Sequence, residues 1–173
     1  GHRRLAPHIY TDQEIIQLLD AAGRLTLTWP LRALTHRSLF GLIAAAGLRL
    51  SEALMLTLGD VDPQAAALTV RQTKFHKSRR LPLHSSTVQE LELYRQARNR
   101  CQSTEDSAPF FVSHDGGYLP TRTVENVFRR LQPGLGWRAR GDHPYPRIHD
   151  LRHTMAVRRL QRWRESAQSI DHA

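Results

Sequence analysis

Residues 44–54 have the sequence Ala-Ala-Ala-Gly-Leu-Arg-Leu-Ser-Glu-Ala-Leu, and this stretch organises the rest of the chain. The apolar run before Gly47 predicts a core helix that begins near Pro30, and the glycine predicts where that helix ends. Arg49 follows in an apolar neighbourhood, where an unpaired guanidinium is costly. Glu52 lies three residues on and can hold Arg49 if the backbone is helical there. Arg49 therefore either binds an anion or forms a plain surface ion pair with Glu52.

Helical periodicity covers much of the remaining sequence. A capping-box pattern at residues 11–14 predicts an amphipathic helix that ends near Gly23. The spacing of apolar residues predicts further helices over residues 51–58, 86–101, 121–131 and 148–163.

The predicted β structure is small. Segments rich in strand-forming residues at 67–72 and 80–84 flank the polar residues 73–79, which indicates a hairpin with a basic loop at its tip. Residues 110–112 form a third predicted strand. The expected fold class is therefore α+β, a mainly helical domain with a small three-stranded antiparallel sheet.

The length and charge of the chain narrow the class of protein. A chain of 173 residues with 40% apolar composition suits one domain, which we expect over residues 11–173 after a basic linker at residues 1–10. The 25 Lys and Arg residues against 16 Asp and Glu give a net charge of +9 and a pI near 10.9. This excess favours a polyanionic partner, with a merely soluble basic domain as the alternative.

Several other classes are disfavoured. The longest apolar stretch, residues 38–50, is shorter than the roughly 18 residues that span a bilayer, and no apolar secretory signal begins the sequence. The single Cys101 agrees with a reducing compartment, so we expect a cytoplasmic protein with no membrane partner. The histidines show no metal-site spacing and no P-loop is present, so no metal or other cofactor is expected.

The sequence Ile-His-Asp-Leu-Arg-His at residues 148–153 begins the last predicted helix. His149 and Arg152 are three residues apart, so both project from one face of the first turn. The N-terminus of a helix adds free N–H groups and a positive dipole end, which suit a phosphate. His153 is expected to have a supporting role. An ordinary polar surface helix is the alternative.

The predicted hairpin loop carries several cations. Lys74 lies at its mouth, where a flexible ammonium can reach a phosphate or a leaving oxygen. A solvated basic turn is the alternative for this segment taken alone.

The order of the motifs GLRLSE, TKFHKSRRLPL and HDLRHT resembles the catalytic domain of tyrosine recombinases, the phage-integrase type, from Tyr10 to Trp163. The resemblance implies an integrase-like DNA breaking-rejoining fold. The implied catalytic residues are Arg49, Lys74, His149 and Arg152, with Lys77 as the alternative to Lys74. Glu52 is the implied companion of Arg49, and His153 has the supporting role. The expected DNA contacts are Lys77, Arg79 and Arg80.

The same resemblance implies a function and a partner. The function is site-specific recombination or integration of double-stranded DNA, through strand breakage and a 3′-phosphotyrosyl intermediate. In that chemistry two arginines stabilise the negative charge on the phosphate oxygens, a lysine protonates the leaving 5′ oxygen and a histidine assists proton movement. An origin in a bacterium, a phage or a mobile element is expected.

The sequence departs from the family pattern after Arg152, which lies near the end of the chain. The family's later Gly-His or Trp position and its nucleophilic tyrosine are absent, and structural roles are expected for Tyr10, Tyr94, Tyr118 and Tyr145. We therefore expect a truncated catalytic domain, inactive alone, monomeric in isolation and oligomeric on DNA only at full length. The alternatives are an inactive DNA-binding remnant of an integrase and a relative of type IB topoisomerases.

Overall fold

The computed structural model describes residues 3–26, 28–72 and 77–171 of the chain. Within these ranges the backbone forms six α-helices and one three-stranded antiparallel sheet. The strands, in sheet order, are β1 (Val61–Asp62), β2 (Ala67–Gln72) and β3 (Lys77–Pro82). The helices are α1 (Asp12–Gly23), α2 (Arg32–Ala46), α3 (Leu50–Leu54), α4 (Ser85–Asn99), α5 (Thr121–Leu135) and α6 (Ile148–Asp171). The predicted fold class, a mainly helical α+β domain with a small antiparallel sheet, is confirmed.

Helix α1 begins at the predicted capping box. The Thr11 hydroxyl accepts a hydrogen bond from the Glu14 amide at 3.1 Å, and the Glu14 carboxylate accepts one from the Thr11 amide at 2.9 Å. These bonds satisfy amide groups that the start of a helix leaves free. The buried residues Leu18 and Ala22 join the core, and α1 packs against α2.

Helix α2 is the central element of the core. It packs against α1, α4 and α6, and its Leu39, Phe40, Leu42 and Ile43 are almost wholly buried. Burial of each such side chain is worth roughly 1.5–3 kcal/mol relative to exposure. The helix ends at Gly47, which has a left-handed φ of 69°. The glycine thus ends the helix where the sequence predicts.

The prediction of a third strand at residues 110–112 is wrong. Residues 110–112 are not a strand, and β1 takes the third place in the sheet by pairing Val61 with Leu68. The 110–112 segment instead makes an isolated bridge, between Val112 and Tyr118, and its side chains are fully buried. A short, wholly buried apolar run lacks the alternation that would distinguish a strand from a buried loop.

Three helices differ in length from the prediction by four residues or more: α3, α6 and α5, which ends at Leu135 instead of residue 131. Helix α3 ends before the predicted Leu58, because the Thr57 amide and hydroxyl bond the Asp60 carboxylate at 2.9 and 3.0 Å and start a 3-10 turn. Helix α6 continues beyond the predicted end at Trp163 and reaches Asp171. Even so, no helix within the described ranges is both long and apolar enough to cross a membrane.

Part of the predicted linker contacts the domain. His8 and Tyr10 are each 1% exposed. The Tyr10 amide donates a hydrogen bond to the Thr154 hydroxyl, and the Tyr10 hydroxyl donates one to the Arg147 carbonyl, both at 2.9 Å. These bonds hold the segment against the start of α6. The limits of the linker and of the domain stay a prediction.

Candidate active site

Helix α3 holds the backbone of Arg49 at its N-terminal cap. The Arg49 amide donates to Oε2 of Glu52 at 2.9 Å, and Nη1 of Arg49 lies 3.3 Å from Oε1 of the same carboxylate. The backbone is thereby fixed, whereas the Arg49 side chain is 56% exposed. Its guanidinium is therefore open to an anion from outside.

Arg152 reaches the same place from α6. Its Nη1 donates to the carbonyl oxygen of Gly47 at 3.1 Å and lies 3.7 Å from Oε2 of Glu52. Burial, and then the positive charge of Arg49, lower the pKa of Arg152. Arginine is nevertheless effectively always protonated in proteins. The fold thus brings two of the motif cations to one carboxylate.

A third guanidinium comes from the sheet. Arg79 on β3 donates from Nη1 and Nη2 to the two oxygens of Glu52, at 3.1 and 2.9 Å. This is the two-point geometry that a planar guanidinium makes with a carboxylate. The pairing is not predicted from the sequence, which places Arg79 in the basic loop. The available signal is strand alternation, which puts Arg79 on the same face as the half-buried Leu81.

Glu52 connects these three arginines, and we call Arg49, Arg79 and Arg152 with Glu52 the arginine cluster. Burial acts to raise the pKa of Glu52, but the bonds from Arg79, the Arg49 amide and the charge of Arg152 outweigh it and hold the pKa below its usual range. Glu52 is therefore an anion at neutral pH. Three guanidinium groups share one carboxylate, and the excess of positive charge favours a further anion such as a phosphate.

His149 lies in the first turn of α6, three residues before Arg152. Its ring packs edge-on against His153, with centroids 4.7 Å apart. Partial desolvation, and then the positive charges of His153, Arg147 and Arg152, lower the pKa of His149. The imidazole is therefore neutral at neutral pH and able to exchange a proton. In the described part of the chain, no group of three or more His, Cys, Asp or Glu side chains is placed to hold a metal ion.

A cavity of about 980 Å³ opens beside the cluster. Arg49, at the N-terminal cap of α3, and His149 of α6 both line it, together with the exposed Tyr145 from the loop before α6. Helix α5 forms another part of the wall through Thr121, Glu125, Phe128, Arg129 and Gln132. The motif arginine and the motif histidine therefore face one open space.

The remaining predicted residues belong to the hairpin. Lys74 lies outside the described residues, in the segment 73–76. Strand β3 begins at the exposed Lys77, so residues 77–79 belong to a strand and not to the predicted loop. Arg80 lies on the other face of the strand from Arg79, with Nη2 3.5 Å from Oδ2 of Asp62. The roles of Lys74, Lys77 and Arg80 stay predictions.

The sequence is similar to that of known proteins over most of its length. A sequence description of the phage integrase family matches residues 9–163. The chain belongs to the phage integrase family. A relative, the putative integrase/recombinase y4rB of Sinorhizobium fredii, is 39% identical over 170 residues, which are 96% of this chain and 54% of that protein. This member of the phage integrase family thus spans about half the length of that relative, and the resemblance to tyrosine recombinases is confirmed.

Solved structures of recombinases share the fold. The XerA recombinase matches this phage integrase chain with a TM-score of 0.72 at 25% identity, over 94% of this chain and 52% of that one. The XerH site-specific recombinase, in a pre-cleavage complex with its difH substrate, also gives a TM-score of 0.72, at 20% identity, over 94% of this chain and 45% of that one. The phage integrase fold therefore extends over nearly the whole chain.

Proposed function

We propose that this chain takes part in site-specific recombination or integration, by breaking and rejoining strands of double-stranded DNA. The observation that carries the proposal is the arginine cluster, in which three guanidinium groups share the carboxylate of Glu52. Membership of the phage integrase family and a net charge of +9 support it. A phosphodiester supplies the anion that such a cluster favours.

In the proposed reaction, a tyrosine oxygen attacks the phosphorus and the 5′ oxygen leaves and takes up a proton. The product is a 3′-phosphotyrosyl link that can be reversed to rejoin DNA, so the proposal includes no cofactor. Negative charge grows on the non-bridging oxygens in the transition state, and we assign Arg49 and Arg152 to stabilise it. Lys74 is assigned to protonate the 5′ oxygen. Neutral His149 assists proton movement, with His153 in a supporting role.

Residues outside the arginine cluster also have proposed roles. Lys77 and Arg80, both exposed on β3, are proposed contacts to DNA phosphates. On DNA, further copies of the full-length protein are proposed partners, whereas we propose a monomer for the chain in isolation. Because bacterial DNA lies in the cytoplasm, the proposed function places the protein there.

A second candidate function is DNA holding without strand cleavage. Tyr10 and Tyr94 are buried, and both hydroxyls have partners: Tyr10 donates to the Arg147 carbonyl at 2.9 Å, and Tyr94 accepts from the Val112 amide at 3.2 Å. These bonds favour structural roles for the two tyrosines. A nicked duplex separates the two functions when it is incubated with the full-length protein, because cleavage leaves a protein–DNA adduct that survives denaturation and holding leaves none.

Binding to a fluorescent duplex tests the phosphate site shared by both functions. We expect Arg49→Ala and Arg152→Ala each to weaken affinity about tenfold, as the loss of a charge-assisted phosphate contact does. Arg24→Ala, at the exposed end of α1, is the control and is expected to change affinity little. Wild-type affinity in both cluster variants would show that the arginines do not bind the phosphate.

A further inference from the structure

We propose that Arg79 is a positioning residue, which occupies the Glu52 carboxylate from the sheet and thereby leaves more donors of Arg49 and Arg152 available to the phosphate. The inference rests on the proposed function. It replaces the role that the sequence predicts for Arg79, a direct contact with DNA. Its distinctive consequence is that loss of Arg79 harms phosphate binding only while the Glu52 carboxylate is present.

Among the residues that the structure describes, Arg79 makes the closest side-chain contact with Glu52. Both of its terminal nitrogens donate, to different carboxylate oxygens, at 3.1 and 2.9 Å. Arg49 has one side-chain contact at 3.3 Å and Arg152 lies 3.7 Å away. The Arg79 side chain is 33% exposed and that of Arg49 is 56% exposed. Arg79 therefore commits two donors to the carboxylate, whereas Arg49 commits one and its guanidinium is the more exposed.

The carboxylate of Glu52 has to be paired, because its side chain is only 9% exposed and an unpaired buried anion is costly. Among the described residues other than Arg79, the cations nearest to this carboxylate are Arg49 and Arg152. Carboxylate and phosphate oxygens bind a guanidinium in similar geometry, so each bond gained by Glu52 competes with a bond to the substrate. Arg79 prevents this competition by satisfying Glu52 first.

The sheet holds Arg79 in place. Its backbone pairs with Val70 of β2, which is 1% exposed, and Leu81 on the same face packs against the core. Helix α3 has five residues, and a helix that short is not stable by itself. The bond from Arg79 to Glu52 therefore also joins α3, and with it the backbone of Arg49, to a rigid element.

The neighbouring Arg80 supplies a matched control. It carries the same charge on the same strand but faces Asp62 at 3.5 Å, and its side chain is 60% exposed. As a proposed direct DNA contact, Arg80→Gln is expected to weaken binding by about two- to threefold through the loss of one surface charge. Because that contact does not involve Glu52, adding Glu52→Gln is not expected to restore it.

The experiment compares Arg79→Gln, Arg80→Gln and the double variants of each with Glu52→Gln. Affinity for a fluorescent duplex is measured by anisotropy, and DNA-induced shifts of the arginine Nε–H signals are followed in nitrogen-15 spectra. Arg79→Gln is expected to weaken binding about tenfold and to suppress the shifts of Arg49 and Arg152. The Arg79→Gln/Glu52→Gln variant is expected to recover to within about threefold of wild type.

Other results would overturn the inference. A direct DNA contact by Arg79 predicts that Glu52→Gln restores nothing and that the salt slope of binding falls by about one. Wild-type affinity in Arg79→Gln would equally contradict a positioning role. If thermal unfolding shows that Arg79→Gln does not fold, Arg79→Lys replaces it, with a weakening of about threefold that Glu52→Gln again restores.

The DNA affinities of Arg49→Ala and Arg152→Ala test the proposed function separately from the role of Arg79. If these variants bind DNA as wild type does, the phosphate site itself is wrong. If they lose affinity as expected while Glu52→Gln fails to restore Arg79→Gln, only the role of Arg79 is wrong.

Discussion

Nη1 of Arg152 lies 3.1 Å from the carbonyl oxygen of Gly47, so an arginine in α6 is bonded to the residue that ends α2. The left-handed backbone of Gly47, with a φ of 69°, turns the chain towards Arg49 two residues later. One glycine therefore affects both motif arginines: it presents an oxygen to Arg152 and sets the start of the segment that carries Arg49.

Substitution of this glycine is expected to destabilise the protein. A left-handed conformation costs a residue with a Cβ about 1–2 kcal/mol, and a Cβ at Gly47 would meet Met155 at an ordinary 3.5 Å, so the cost is conformational. We expect Gly47→Ala to lower the free energy of unfolding by about that amount in urea denaturation. Gly134→Ala is the control, because Gly134 lies within α5 and a Cβ added there would have no atom of the described chain within 4 Å, apart from the adjacent helix backbone. Equal stability of the two variants would contradict this account.

The pKa of His149 is expected to depend on its positive neighbours. Partial desolvation and then the charge of His153 hold this pKa below 6.5. His153→Gln removes one positive neighbour, so the pKa of His149 should rise towards its ordinary value in a proton NMR titration. His114→Gln, at an exposed histidine elsewhere, serves as the control. An unchanged or lower pKa in His153→Gln would show that the ring contact carries no electrostatic effect.

Acid is expected to destabilise the fold through His36. This residue is 1% exposed, its Nδ1 lies 2.8 Å from the Arg32 carbonyl, and burial lowers its pKa below 6.5. As pH falls below 6.5, His36 binds a proton in the unfolded chain but not in the folded chain. The free energy of unfolding therefore decreases by up to about 1.4 kcal/mol per pH unit, until the pH reaches the pKa of His36 in the folded state.

Urea denaturation between pH 7.5 and about 5 tests this contribution. His36→Leu should lose less stability on acidification than wild type, whereas His114→Gln, at an exposed ring, should keep the wild-type dependence. If His36→Leu and wild type lose stability in parallel, burial of His36 is not the cause.

The local part of the site could be predicted from the sequence, because spacing within one turn determines which residues share a face. Arg49 and Glu52, and likewise His149 and Arg152, are three residues apart, and that spacing suffices. His153 is four residues from His149, so their contact follows from the same rule. The family membership follows from the order of such local motifs.

The long-range part could not be predicted in the same way. The contact of Arg152 with Gly47 joins residues from different helices, and no local rule specifies it. Arg79 is the instructive case: the polar run 73–79 indicates a basic loop, whereas strand β3 begins at Lys77 and alternation turns Arg79 inward. The strand prediction for residues 110–112 fails for a different reason: these residues are completely buried, so their sequence lacks the alternation of apolar and polar residues that identifies a strand.

The salt dependence of DNA binding tests the central claim, that the arginine cluster binds a DNA phosphate, most directly. The slope of log K against log salt is about −0.9 for each phosphate neutralised. Because Arg49 and Arg152 are assigned to one phosphate, the Arg49→Ala/Arg152→Ala variant is predicted to have a slope shallower by about one, with affinity reduced about a hundredfold at low salt. A slope and an affinity equal to those of wild type would contradict the claim.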